Sequence, residues 1–477
     1  MFFGRKKELN ELERLYRENR FQLFVLYGRR RVGKTALLKE FCKGKEAIFY
    51  SAEVSNDKLN LEKFSAQVFR HYGENGLQSF SAWENALEFI NIRHKDAPLV
   101  LVFDEFPYLA EKNTALLSML QHMIDHKLQE GKIFLVLCGS YVGFMEREVL
   151  GAKSPLFGRR TAQLLLKPFD CAESRSFLSG FSTEEQCMFY GALGGIPLYL
   201  GKVDSRKNFR DNLVDIFLRP TASLYEEPMF LLREELQQPG VYNAVIEAVA
   251  SGSSKANEIA VKAGEPVSKC LKYIHVLSAL GIIRKETPFG EKESSRKTIY
   301  SVADPLFRFW YRYIAPNHTL LESDAWEIVW EKRIAPDYSN HMGAVLSKSV
   351  KSICSTKTAK ENCPSFSPPL GDGGAAIQKP RRKRKSTLSQ ATAQTACSVN
   401  ANGAMKQQEA KRLRISEKKQ VCSLNQTKRR GWPCFPKAAS QKLSGKKRKK
   451  TDACCFSRWM TCFNTQLTQT SLPQSHP

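Results

Sequence analysis

Apolar positions in the first part of the chain gather into short, nearly unbroken runs: Phe21–Tyr27, Ala47–Ser51, Leu99–Phe103 and Ile133–Cys138. Runs of this length without polar alternation are the pattern of strands buried on both faces of a parallel sheet. Between them apolar residues recur at helical spacing. Leu9, Leu12, Leu15 and Tyr16 share one face, and Thr35–Cys42, Leu61–Tyr72 and Leu116–Leu128 are expected to be helices. Strands alternating with helices imply an α/β fold over residues 1–168, a parallel sheet with helices on both faces.

Past Pro168 the pattern becomes mostly helical. Glu184–Leu193 is expected to form a helix that ends at Gly194-Gly195, within a helical lid spanning 169–227. Tyr242–Ala250, Lys255–Ala263 and Ser268–Leu280 follow as three short helices, and Gly281–Glu286 with Lys297–Val302 as a hairpin. Three helices and a two-stranded wing outline a winged helix-turn-helix over 228–318. Residues 319–342 begin a further segment, and from about Gly343 the periodicity vanishes.

Charge changes the picture only in that last region. Of 73 Lys and Arg and 48 Asp and Glu, residues 343–477 hold 27 and 5, which leaves 46 and 43 in residues 1–342. The globular body is therefore close to neutral, and the net charge of +25 belongs to the tail. Cys42, Cys138, Cys171, Cys187 and Cys270 sit singly in apolar stretches and read as buried thiols of a reducing compartment. The N-terminal segment turns charged at once, and no window approaches the roughly 18 apolar residues of a membrane span. The expectation is a cytoplasmic protein.

Gly28-Arg29-Arg30-Arg31-Val32-Gly33-Lys34-Thr35 matches G-x-x-x-x-G-K-[ST] in full, between an expected strand and an expected helix that runs on through Ala36. Glycines let such a loop curl so that N–H groups face phosphate, and the helix N-terminus adds positive potential. Lys34 is expected to reach the β- and γ-phosphates of a nucleoside triphosphate, ATP, and the Thr35 hydroxyl to ligate Mg²⁺. Leu99–Phe103 ends in Asp104-Glu105. Asp104, placed on an adjoining strand, is the second expected Mg²⁺ position, and Glu105 the general base for water. Ile133–Cys138, expected beside the Asp104 strand, delivers Ser140, a candidate sensor of the γ-phosphate. Arg159 and Arg160 are candidates to neutralise transition-state charge, in cis or from a neighbouring subunit of a homo-oligomer. The bland readings are a Gly-Ser turn at Ser140 and a solvated basic turn at 159–160.

Together these residues resemble a prokaryotic family often called archaeal ATPases, among the signal-transduction ATPases with numerous domains (STAND) of the AAA-related branch. The resemblance rests on Phe3-Gly4-Arg5-Lys6-Lys7-Glu8-Leu9, the arginine-rich phosphate loop, Asp104-Glu105-Phe106-Pro107-Tyr108-Leu109, Cys138-Gly139-Ser140 and Pro155–Arg160. It continues through Gly194-Gly195-Ile196-Pro197 and Tyr300–Asn317. It implies that Pro197 contacts the nucleotide side, and that ATP binding and hydrolysis drive a molecular switch.

Two other functions compete with the plain switch. In the expected winged helix, Leu271, Ile274, Leu277 and Leu280 face the core and Lys269, Lys272 and His275 point outward. Few positive charges are presented there, so DNA contact and internal packing stand as two readings. A nucleotide-dependent DNA-binding regulator is thus one alternative, and an inactive truncated product is the other.

The tail carries Arg381–Lys385 and Lys446–Lys450, which at face value are nucleic-acid or import signals. Reading codons across residue junctions gives a different result. With one constant shift, Ala396–Lys406 allows Leu-Phe-Gly-Glu-Cys-Lys-Trp-Arg-Asn-Glu, and three other stretches become similarly ordinary. They look like the restriction-endonuclease-like C-terminal domain that the family resemblance implies. The expectation is a frameshift near Gly343–Val345 and a non-native, low-order basic tail over 343–477 to which no nuclease residue is assigned.

Overall fold

The computed structural model describes residues 2–74, 78–288, 295 and 297–345. The tail expected to be out of frame, with its two basic runs, lies outside the described residues from 346 onward.

Among the described residues the main sheet has five parallel strands: β1 (Gln22–Tyr27), β2 (Ala47–Ser51), β3 (Leu99–Asp104), β4 (Ile133–Gly139) and β5 (Ala162–Leu165), in the order β2-β3-β4-β1-β5. Composition explains the order. β1, β3 and β4 are buried at every position, whereas β2 alternates burial with exposure, β5 has no fully buried position, and these two form the edges. β5 is only four residues long and half polar in exposure, so it carries no continuous apolar run and the sequence pattern does not reveal it.

One expectation is corrected here. The Asp104 strand does not adjoin the strand that leads into the phosphate loop, because β4 lies between them. The register aligns Tyr27 with Gly139 and Phe103 with Leu137, so β1, β3 and β4 finish at a common edge. Gly28, Glu105 and Ser140 therefore leave the sheet side by side.

Helices cover both faces. The Lys34–Cys42 helix buries Leu37, Leu38 and Phe41, and the Phe41 ring meets Phe134 of β4 at 5.3 Å. It thus lies across the strand that separates β1 from β3. Trp83–Arg93 forms a further helix, in which Trp83, Ala86, Leu87 and Ile90 point inward. These positions follow the i, i+3, i+4, i+7 spacing of an amphipathic helix, although this segment is not among the expected helices.

The Thr183–Leu193 helix starts at a Ser182–Glu185 capping box, which satisfies free N–H groups at its first turn. Past it come the Glu227–Glu235 helix, then Pro239–Ala250, Ala256–Ala263 and Val267–Ala279. An antiparallel pair follows, Ile283–Glu286 with Ile299–Val302. In the Val267–Ala279 helix Cys270, Ile274 and Leu277 are buried, whereas Leu271, expected in the core, is 41% exposed. Residues Tyr338, His341 and Met342 pack against the Thr183–Leu193 helix. The Tyr338 hydroxyl donates to Met188 O at 2.6 Å, and His341 Nε2 to Gly191 O at 2.8 Å. The segment 319–342 is thereby built into the body.

Gly195 sits where the chain after this helix returns under the sheet. Its carbonyl accepts from Phe169 N at 2.8 Å, and an added Cβ would lie 1.8 Å from Phe169 O, a backbone atom that cannot swing away. Gly195→Ala is expected to destabilise the protein by ~3 kcal/mol through overpacking. Urea unfolding measures this, and an unchanged midpoint would contradict the packing described.

Candidate nucleotide site

The phosphate loop follows β1 directly. Gly28 adopts φ 149°, and a Cβ there would meet Leu166 O at 2.5 Å, so the turn requires glycine. Lys34 is buried and its Nζ donates to the carbonyls of Gly28 at 2.8 Å and Arg29 at 3.2 Å. The ammonium thus sits inside the curl of its own loop. Val32 is fully buried, and its carbonyl accepts from Arg5 Nη2 at 3.1 Å. Arg5 also donates to Lys167 O at 2.8 Å, and its guanidinium lies 3.9 Å from the Phe169 ring centre. The N-terminal Gly4-Arg5 pair is therefore a brace for the loop. Ala36 follows on the exposed side of the helix.

The Lys34–Cys42 helix carries Thr35 over β4 to Asp104. Thr35 Oγ1 donates to Asp104 Oδ2 at 2.6 Å. These two oxygens are hard donors of the type that Mg²⁺ takes, and they fit it. A cleft bounded by Thr35, Lys39, Phe49, Ser51 and Asp104 opens beside them.

Glu105 follows with φ 52°, an uncommon conformation for a residue bearing a side chain. The turn aims its carboxylate at β4, where Ser140 Oγ donates to Glu105 Oε1 at 2.6 Å. Ser140 and Glu105 thus form one unit at the tip of adjacent strands. Pro197 opens the Pro197–Leu200 helix with its ring against the loop: a Cβ on Gly33 would stand 3.6 Å from Pro197 Cγ.

Arg159 and Arg160 are not brought to this cluster. The Thr161 amide donates to Leu23 O, near the start of β1, and five residues of strand separate Leu23 from Gly28, ~16 Å at 3.3 Å each. Arg159 Nε and Nη2 both donate to Asp125 at 2.7 Å, and Arg160 Nη1 donates to Leu150 O at 2.8 Å. The in-cis role is corrected: these arginines lie at the opposite edge of the sheet, engaged by local partners.

The loop arginines instead face residues beyond the phosphate-loop domain. Arg29 forms a buried ion pair with Asp304 at 2.5 Å. Burial opposes the Arg29 charge, but Asp304 and Tyr199 more than restore it and hold the guanidinium above its ordinary range. Arg31 pairs with Glu227, and Arg30 donates to the Tyr108 hydroxyl at 2.9 Å while standing 3.7 Å from Glu235. Glu227, Glu234 and Glu235 were missed in the sequence. Their signal is present: acid pairs at 226–227 and 234–235, two helical turns apart on one helix, opposite three consecutive arginines.

Glu235 is buried and its Oε1 receives no hydrogen bond, since Arg30 is near enough for attraction only. Burial pushes its carboxyl up to about 7, against the pull of Arg30, Lys34 and Arg29. The folded state therefore holds a proton that the unfolded chain releases nearer pH 4.5, and stability falls as pH rises between these values. Glu235→Gln keeps the neutral form at every pH. Its stability is expected to match the wild type at pH 4 and to exceed it by up to ~3 kcal/mol at pH 8. Denaturant midpoints across this range test it, and a pH-independent difference would contradict it.

A family model described as an ATPase domain predominantly from Archaea matches residues 2–203. An uncharacterized protein of Methanocaldococcus jannaschii is 32% identical over 352 residues, which cover 74% of this chain and 76% of that protein. An uncharacterized ATP-binding protein of the same organism is 56% identical over 46 residues, 10% of this chain and 78% of its own. Among solved structures, the Walker-type ATPase of Pyrococcus abyssi is similar with 22% identity and a TM-score of 0.49, over 65% of this chain and 96% of that one.

Proposed function

Because the chain belongs to the archaeal P-loop ATPase family, we propose that it binds ATP with Mg²⁺ at Gly28–Thr35 and hydrolyses it to drive a conformational switch. The observation that carries this reading is the meeting of three motif residues at one edge: Lys34 inside the loop, and Thr35 hydrogen-bonded to Asp104 at 2.6 Å. A triphosphate entering the curl replaces the Gly28 and Arg29 carbonyls as partners of Lys34. Thr35 and Asp104 are the residues that would hold Mg²⁺, whose charge offsets that of the phosphates. Glu105 accepts a proton from the attacking water, ADP leaves, and inorganic phosphate takes the water oxygen. Ser140, now bonded to Glu105, is placed to exchange that bond for a γ-phosphate oxygen and so to couple occupancy to the base.

The switch runs through the loop arginines. Arg29, Arg30 and Arg31 reach Asp304, Glu235 and Glu227, all beyond the phosphate-loop domain. A polyanion arriving in the loop competes with those carboxylates for the same guanidinium groups, so occupancy changes how the C-terminal helices are held. In a homo-oligomer, Arg159 and Arg160 of a neighbouring copy would supply the charge that this copy's own pair cannot reach.

The DNA-binding reading would use the expected winged helix-turn-helix over 228–318. Lys269, Lys272 and His275 are exposed there, but so are Val261 at 84% and Leu271. That mixed surface favours protein packing over phosphate contact.

Turnover and binding separate the roles. Lys34→Ala is expected to abolish ATP binding, while Glu105→Gln keeps binding within a few-fold and loses at least ~100-fold in turnover. Phosphate release and a fluorescent-nucleotide titration read the two. A Glu105→Gln variant that hydrolyses ATP at the wild-type rate would overturn the assignment of the base.

A further inference from the structure

At the sheet edge opposite the nucleotide site, a second set of ligating side chains converges from three elements. Glu46 immediately precedes β2, His71 ends the Asp57–His71 helix, and His94 caps the Trp83–Arg93 helix. Glu46 Oε1 stands 3.3 Å from His71 Nε2 and 3.7 Å from His94 Nε2. The three ligand atoms all lie within 4.8 Å of one another. Ligands bound at about 2.0–2.1 Å to a tetrahedral ion stand ~3.4 Å apart, so the triangle is assembled to within small side-chain movements.

The histidine tautomer points the same way. His94 is buried, and its Nδ1 lies 3.3 Å from Ala97 O. A carbonyl oxygen only accepts, so Nδ1 carries the proton and Nε2 keeps its lone pair. Metal-binding histidines are held in this way, one ring nitrogen donating to a backbone carbonyl and the other free to ligate. Here the Tyr72 hydroxyl donates to Nε2 at 2.8 Å. That bond occupies the lone pair an ion would take, so ligation displaces it and frees the hydroxyl as a hydrogen-bond partner for bound water. Glu46 and His71 are exposed, which leaves a path from solvent.

We propose that Glu46, His71 and His94 form a site for a zinc-class divalent cation, with a fourth position open to water. Two imidazoles and one carboxylate select Zn²⁺ over Mg²⁺, which takes oxygen ligands. The ion ties the ends of two helices to the entrance of β2. It is separate from the Thr35–Asp104 position: Ser51, at the far end of β2, is the residue in register with Asp104.

Zinc titration calorimetry on the full chain, first stripped with chelator, tests the site by difference, because thiols elsewhere in the chain also take up zinc. The wild type is expected to bind one more equivalent of Zn²⁺ than His71→Ala or Glu46→Gln. Zn²⁺ should raise its unfolding temperature by more than it shifts either variant, a difference that Mg²⁺ does not reproduce. Both substitutions are at exposed positions, and equal unfolding temperatures in chelator verify the fold. Equal zinc stoichiometry and equal thermal shifts in all three proteins would reduce the cluster to ordinary histidine–carboxylate contacts and overturn the proposal.

Discussion

The hydrogen bond from Thr35 to Asp104 spans two strands that do not touch. β4 lies between β1 and β3, so neighbouring sheet positions alone cannot bring the end of β3 to the phosphate loop. The Lys34–Cys42 helix does this by crossing over Phe134 of β4 and setting its second residue above Asp104. The rest of the site depends on that crossing. It requires Gly28 for the turn out of β1, an apolar helix face of Leu37, Leu38 and Phe41, and a register that ends three strands level. The intervening strand also contributes to the site, because Ser140 at its tip is hydrogen-bonded to Glu105.

Basic residues in a phosphate loop are readily taken as direct phosphate contacts. In this protein the three arginines are already spoken for by carboxylates beyond the phosphate-loop domain, and Arg29 and Asp304 are sealed from water together. A buried ion pair contributes little net stability compared with apolar packing, yet removing one partner alone leaves an uncompensated charge. Such a contact fixes an arrangement strongly while remaining sensitive to a rival anion. That combination suits a joint between the phosphate loop and the helices beyond it.

Much of the nucleotide end was legible from residue order alone, because local constraints write it. A buried parallel strand reads as an apolar run, a phosphate loop as fixed glycines, and an acid at a strand end as the second half of the site. What escaped were features set by distant packing. β5 has no apolar run because it is an edge, and the strand order is invisible to a local pattern. Arg159 and Arg160 look like candidates until the Thr161–Leu23 bond puts them at the other end of β1. Leu271 obeys the helical period but is left 41% exposed. The Arg29 partner Asp304 lies 275 residues away along the chain, and only the fold pairs the loop arginines with Asp304 and Glu227.

On this geometry Thr35 and Asp104 together would hold the metal that accompanies ATP. Calorimetric titration of the purified chain with ATP, once in Mg²⁺ and once in excess chelator, measures this directly. Affinity in Mg²⁺ should exceed that in chelator by at least tenfold, and Asp104→Asn should erase the difference. Equal affinity in the two solutions, or a magnesium effect that survives Asp104→Asn unchanged, would contradict it.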